Sequence, residues 1–187
     1  MMDKQFLANF KRATEAKWAT ESINPSFFGS QFQRGPRWLP GLSNEQIASY
    51  EREICVHFPH DFRAFLQGMN GTDSATRIVY DSQGEPYRRA VGVYSYTGDL
   101  KFVRDGMDTV SQHRAGIASD LASQGFDLDE DAKLVPIYGH RYVVCTQNLS
   151  SSVVVSIVVD DIDAVVFGNS LEDYLIKEFL SSLAPCA

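Results

Sequence analysis

The stretch from Lys133 to Cys145, KLVPIYGHRYVVC, contains the residue types of a cysteine nucleophile and its general base. A histidine activates a thiol only when the two side chains are within hydrogen-bond reach of each other. If residues 141–146 form a strand, five residues of strand place His140 and Cys145 ~16 Å apart. The spacing therefore argues against a Cys–His catalytic pair.

The same stretch is typical of a tight turn between two buried strands. Gly139 followed by a polar residue suits a turn, and strand alternation places Arg141 and Cys145 on one face. We expect His140 in the turn, Cys145 buried and Arg141 paired with a carboxylate. The sequence thus predicts no catalytic residue and no enzyme.

Two further patterns resemble metal sites but lack required ligands. His57 and His60 have the i, i+3 spacing of a ligand pair and Cys55 is near, yet Pro59 interrupts the helix between the two histidines. No further ligands follow at zinc-site spacing. We expect no metal site and no cofactor.

The segment FDLDEDAKL resembles a calcium loop, with Asp127, Asp129 and Asp131 at its positions 1, 3 and 5. Ala132 stands where the sharp turn needs glycine, and Tyr138 stands where a bidentate glutamate belongs. The segment is therefore predicted to be a solvated acidic loop.

Two clusters together contain seven acidic residues, the same number as the negative charges in the formal net charge of −7. One interpretation is turn chemistry and solubility. The other is a surface that meets a cationic protein, where acidic residues speed and orient association. The two clusters are Asp127, Asp129, Glu130 and Asp131, and Asp160, Asp161 and Asp163.

The chain has 187 residues, enough for one domain that folds without disulfides or metals. Its acidic balance, with a pI of about 5.0, disfavours nucleic acid and anionic lipid as partners and leaves room for a basic protein. Three scattered cysteines indicate a reducing compartment. No signal-peptide pattern or membrane-spanning apolar run is present, so we expect a soluble cytoplasmic protein.

Helical patterns occupy four regions of the chain. An apolar stripe predicts a helix from Asp3 to about Trp18. Leu42 to Gly71 is predicted to be a helical hairpin, with a capping box that begins at Ser43, a break at Pro59 and a left-handed stop at Asn70-Gly71. Two more helices are predicted over Asp108–Gln124 and after Ser170.

The stretch INPSFFGSQFQRGPRWLPGL is predicted to be a loop that carries four large aromatic residues. Such a loop either covers the edge of the core or exposes a partner-binding patch, and the sequence leaves both open. The four aromatic residues are Phe27, Phe28, Phe32 and Trp38.

Strand patterns cluster in the second half of the chain, with short connections that favour antiparallel neighbours. Helices come first, strands follow and a helix closes, which predicts an α+β fold with a mostly antiparallel mixed sheet covered by helices. The predicted strands are Arg77–Tyr80, Ala90–Thr97, Lys133–Tyr138, Arg141–Thr146, Val153–Val159 and Ala164–Phe167.

The segment from Leu39 to Gly71, LPGLSNEQIASYEREICVHFPHDFRAFLQGMNG, resembles the signature of the Smi1/Knr4 family, also called the SUKH superfamily. Phe58 replaces the usual leucine before the proline. The resemblance extends to about Leu180, through the Gly-His-Arg turn and Asp173-Tyr174. The matching positions are Pro40, Gly41, Glu51, Pro59, Phe65, Leu66, Asn70 and Gly71.

The resemblance implies a single α+β domain over residues 39–187, with residues 1–38 as a helix and aromatic-rich extension. It implies a non-enzymatic binding protein, because many bacterial members are immunity proteins that block secreted toxins. Fungal members are cell-wall regulators with long flexible tails, which this sequence lacks. The expected partner is thus a cognate toxin domain, and the alternative is a regulatory scaffold with several cellular partners. The charge pattern and the aromatic-rich loop, rather than the resemblance, give the candidate partner-contacting residues, which are the two acidic clusters and the four aromatic residues of the loop.

Overall fold

The computed structural model describes residues 2–24, 26, 28–81, 83, 85–147, 152–160 and 162–181, with the backbone alone at 87–90. It is a compact α+β domain, which confirms the predicted fold class. Within the described ranges, no helix combines the length and the apolar character that a membrane span requires.

Among the described residues, six α-helices and a closing π-helical segment cover the sheets. The capping box at Ser43 is present: its hydroxyl accepts from the Gln46 N–H, and the Gln46 side chain accepts from the Ser43 N–H. Ser170 likewise caps the last helix by accepting from the Asp173 N–H. The helices are α1 (Lys4–Thr20), α2 (Asn44–Ile54), α3 (His60–Gly68), α4 (Leu100–Gln112), α5 (Arg114–Ser123) and α6 (Leu171–Leu175), followed by the π-helical segment Ile176–Leu180.

Nine described strands form three sheets, and every pairing among them is antiparallel. The sheet orders are β1-β4-β5, β2-β3 and β6-β7-β8-β9. The strands are β1 (Gly29–Phe32), β2 (Trp38–Pro40), β3 (Met69–Thr72), β4 (Arg77–Tyr80), β5 (Pro86–Val91), β6 (Lys133–Tyr138), β7 (Arg141–Cys145), β8 (Val154–Val158) and β9 (Asp163–Gly168).

The four-stranded sheet is buried on both sides. Val143 and Cys145 of β7 point into a large cluster formed with α1, α2, α3 and the C-terminal helix. Tyr142 and Val144 point into a second cluster, which α5 covers. The predicted alternation along β7 is therefore confirmed, and it explains why this strand is apolar on both faces.

The N-terminal helix belongs to the main core. Trp38 lies 5.5 Å from Trp18, 5.8 Å from Phe10 and 6.0 Å from Phe65, measured between ring centroids. Its indole N–H donates to the Thr14 hydroxyl at 2.8 Å. Residues before Leu39 thus share one core with the segment that carries the family resemblance.

The predicted helix over Asp108–Gln124 is wrong in its bounds. The chain forms two helices, α4 and α5, which meet at His113. Gly106 lies inside α4, where an added Cβ would sit 2.8 Å from the Pro136 ring. Glycine there lets α4 approach β6 closely, and it does not mark a helix boundary.

Three other elements differ from the predictions. The aromatic stretch is not all loop, because it contains β1 and β2. The strand predicted at Ala90–Thr97 leaves its β4 partner after Val91, and Val93 then bridges to Tyr138 of β6. Asn70 and Gly71 lie inside β3 and are not the stop of α3.

Candidate protein-binding surface

The stretch that raised the question of catalysis is structural. His140 is exposed in the turn between β6 and β7, whereas Cys145 is 3% exposed. Burial raises the pKa of the Cys145 thiol far above its ordinary value, which disfavours the thiolate that a nucleophile needs. Arg141 donates from Nε to the buried Glu178 carboxylate at 2.9 Å, as the sequence predicted.

The residues of the suspected metal patterns lie at helix ends. Cys55 is the C-cap of α2, His60 begins α3 and Pro59 is its N-cap. The described residues contain no group of three or more His, Cys, Asp or Glu side chains arranged to hold a metal ion.

Two glycines of the family-like motif are required by close backbone contacts. A Cβ on Gly41 would lie 1.8 Å from the Gln67 carbonyl oxygen, so the β2–α2 loop can pass the end of α3 only with glycine. Gly71 has a φ of +75°, and a Cβ there would lie 2.7 Å from the Val93 carbonyl oxygen.

The polar residues of that motif hold loops in place. The buried Glu51 carboxylate accepts from the Phe58 N–H at 2.7 Å and pairs with Arg63, which fixes the turn from α2 into α3. The Asn70 side-chain amide donates to the Tyr96 carbonyl oxygen and accepts from the Tyr96 N–H. The remaining motif residues lie at the β2–β3 pair, the α3 cap and the core, and they are Pro40, Pro59, Phe65 and Leu66.

The aromatic residues of the N-terminal stretch divide by position. Trp38 is 4% exposed, so its ring is core and offers no surface to a partner. The Phe32 ring is half-buried, with Lys17 Nζ 4.3 Å and Arg77 Cζ 4.0 Å from its centroid. Phe28 is 69% exposed, and Phe27 lies outside the described residues.

The first acidic cluster forms the loop between α5 and β6. Phe126 and Leu128 point inward against the second core cluster, and the four acidic residues between Asp127 and Asp131 are exposed. Arg114 stabilises the conformation of this loop, because its guanidinium donates to the carbonyl oxygens of Asp129 and Ala132. The alternation of apolar and acidic residues therefore presents the carboxylates to solvent on a fixed backbone.

The second acidic cluster lies in the turn between β8 and β9. Asp160 and Asp163 are exposed, and Asp161 lies outside the described residues. Between them, Ile162 adopts a φ of +45°, which is unusual for a β-branched residue. Its side chain lies over α5, where a Cβ on Gly116 would approach Ile162 Cγ2 to 2.8 Å.

Helix α5 contacts both of these segments. The clusters flank opposite corners of the four-stranded sheet, yet the first turn of α5 touches one through Arg114 and the other through Gly116. Positions i and i+2 lie on nearly opposite sides of a helix, so the two acidic segments border this turn from both sides. We call the six described carboxylates the acidic surface: Asp127, Asp129, Glu130, Asp131, Asp160 and Asp163.

The six residues of the acidic surface are exposed. Within the described ranges, the salt bridges involve none of its six residues. Asp131 accepts a hydrogen bond from the Gln147 amide, which leaves its charge in place. Carboxylates held in this way attract cations over roughly a Debye length of ~8 Å at physiological salt, so the surface suits a basic partner.

Sequence reasoning did not identify Arg114, Gly116 or Ile162 as residues that arrange this surface. Their role depends on how α5 packs against β9, which no local pattern reveals. No family model matches the chain, and a search of curated proteins finds no match.

Proposed function

We propose that this chain is a Smi1/Knr4-type binding protein without catalytic activity, which neutralises a basic toxin domain in the cytoplasm of the cell that produces it. The observation that carries the proposal is the acidic surface around the first turn of α5. The ordered motif from Pro40 to Gly71 supports the family, and its residues have structural roles. Function is therefore argued from the surface and not from the motif.

The negative charge of the acidic surface is suited to inhibiting an enzyme that binds the phosphate groups of nucleic acid. Such a toxin carries lysine and arginine in its cleft, and an acidic blocker presents the same sign of charge as the nucleic-acid substrate. Asp129 and the loop around it are tied down by Arg114, so little ordering is needed on binding. A preorganised acidic surface thus favours fast and specific association.

The proposal is tested by sequencing the genes beside the one for this chain, where we expect a secreted protein with a toxin-like C-terminal domain, and by purifying that domain as a catalytically inactive variant. Calorimetric titration should give one site with a Kd of about 1 nM or lower, since a dedicated inhibitor must bind its one partner tightly. Coexpression of this chain should restore growth of cells that express the active domain. Micromolar binding to several unrelated cellular proteins, without growth rescue, would favour the regulatory scaffold instead.

A further inference from the structure

A cleft lies beside the acidic surface, between the C-terminal end of α2, helix α4 and the start of β6. Its volume is about 350 Å³, at the lower end of the ~300–1,000 Å³ typical of ligand pockets. The floor is apolar and comes from Ile54, Met107, Val110 and Leu134. A floor of this kind, open at the surface, accommodates one large apolar side chain.

The rim of the cleft is polar and belongs partly to the acidic loop. Asp108 of α4 and Glu130 of the loop both line it. The rim also holds Arg114 and Lys133, so the charged residues that line the opening are two acidic and two basic. The acidic loop beside the opening carries three further exposed carboxylates, which make the loop side of the cleft negative: Asp127, Asp129 and Asp131.

We propose that this cleft binds an aromatic or large aliphatic side chain presented by a basic segment of the partner. The identity of that partner as a toxin domain rests on the proposed function. Apolar side chains that fill a pocket inside a charged rim carry much of the binding energy at interfaces. A second copy of this chain is a poor occupant, because two molecules with a formal net charge of −7 repel each other.

Cys55 supplies a built-in reporter of the cleft. It lines the opening, it is exposed, and it ends α2 in a left-handed conformation with a φ of +55°. An occupant of the cleft shields this thiol from alkylation. Cys145 is buried and does not report on the cleft.

The experiment measures the rate at which N-ethylmaleimide alkylates Cys55, followed by mass spectrometry of the Cys55 peptide. Two probes are compared at constant ionic strength: acetyl-Lys-Trp-Lys-amide and acetyl-Glu-Trp-Glu-amide. Both contain the same aromatic ring, so the sign of the flanking charges is the main difference between them. The basic peptide should slow alkylation with a Kd at least about fivefold lower than the acidic peptide, the factor expected from one close charge pair in water.

Two variants locate the effect. Ser111→Trp adds a large ring on the exposed rim of the cleft and should abolish protection by either peptide. The pair Asp108→Asn and Glu130→Gln should remove most of the preference for the basic peptide. A matched control neutralises two exposed carboxylates on other elements, Glu85→Gln and Glu172→Gln, and should leave the preference unchanged.

Protection by the basic peptide that depends on the cleft variants supports the proposal. Equal protection by both peptides rejects the basic occupant, and protection by neither rejects the cleft as a binding site. These results do not depend on the toxin, so a failed growth rescue with a positive peptide result would reject the proposed function alone.

Discussion

Individual residues in the α2–α3 region show which local patterns translate directly into structure. Ser43 and Gln46 form a reciprocal cap on an exposed helix end. Phe65, in contrast, is 1% exposed and packs against the Trp38 ring. The two kinds of residue contribute to stability by different mechanisms and by different amounts.

Ser43→Ala should lower the free energy of unfolding by ~1 kcal/mol, because one cap hydrogen bond to the Gln46 N–H is lost at a solvated end. Phe65→Ala should lower it by ~3–5 kcal/mol, because a buried ring is replaced by a cavity. Chemical denaturation of both variants measures these values. If Ser43→Ala were the more damaging change, the placement of Phe65 in the core would be wrong.

At the scale of elements, α5 protects the edge of the four-stranded sheet as well as arranging the acidic surface. The Gln124 amide donates to the Ala164 carbonyl at 2.8 Å and accepts from the Val166 N–H at 3.2 Å. Asp120 accepts from the Ala164 N–H at 3.2 Å. These side chains take the place of a neighbouring strand along β9, whose bare edge would otherwise invite pairing with other chains.

Gln124→Ala should destabilise the protein by about 1–3 kcal/mol, since two hydrogen bonds contribute roughly 0.5–1.5 kcal/mol each. Hydrogen exchange of the Val166 amide should accelerate, because its acceptor is removed. Gln112→Ala, an exposed glutamine at the end of α4, serves as the matched control and should change neither quantity. Unchanged exchange at Val166 in the Gln124 variant would show that α5 does not protect this edge.

The elements that the sequence predicted well are those specified by local patterns. The strand at Arg77–Tyr80 has the predicted bounds, and the cap at Ser43 is present. The missed elements depend on distant partners, because β1 pairs with β4 and β2 pairs with β3, both far along the chain. The first half of α4 was also missed, because it contains Gly106, a residue that is unfavourable in helices. The reason for a glycine there is the close contact with Pro136, which is distant in the sequence.

The candidate site was predictable only in part. Both acidic clusters are visible in the sequence, but their placement on either side of α5 depends on Arg114 and Gly116, which no motif marks. Trp38 was one of four aromatic candidates for a partner surface, and only the tertiary structure assigns it to the core. Surfaces assembled from distant segments are therefore the least predictable feature of this chain.

For the whole molecule, the acidic surface holds six of the 24 acidic residues behind the formal net charge of −7. Under the proposed function, its exposed carboxylates should steer a basic partner toward the surface, and such steering acts mainly on the association rate. Salt screens it over a Debye length of ~8 Å at physiological ionic strength. Dissociation should depend instead on apolar contacts, of which the cleft beside Glu130 is the best candidate.

The most direct test of the acidic surface is the rate of association with the proposed basic toxin domain at two ionic strengths. Wild type is compared with the combined variant Asp127→Asn, Asp129→Asn, Asp160→Asn and Asp163→Asn, and with the control pair Glu85→Gln and Glu172→Gln. We expect the quadruple variant to associate at least about 10-fold more slowly at low salt and to lose most of the salt dependence of its association rate. Its fold should be unchanged, and the control pair should associate at the wild-type rate. Identical association rates and salt slopes for wild type and the quadruple variant would contradict a role for this surface in binding.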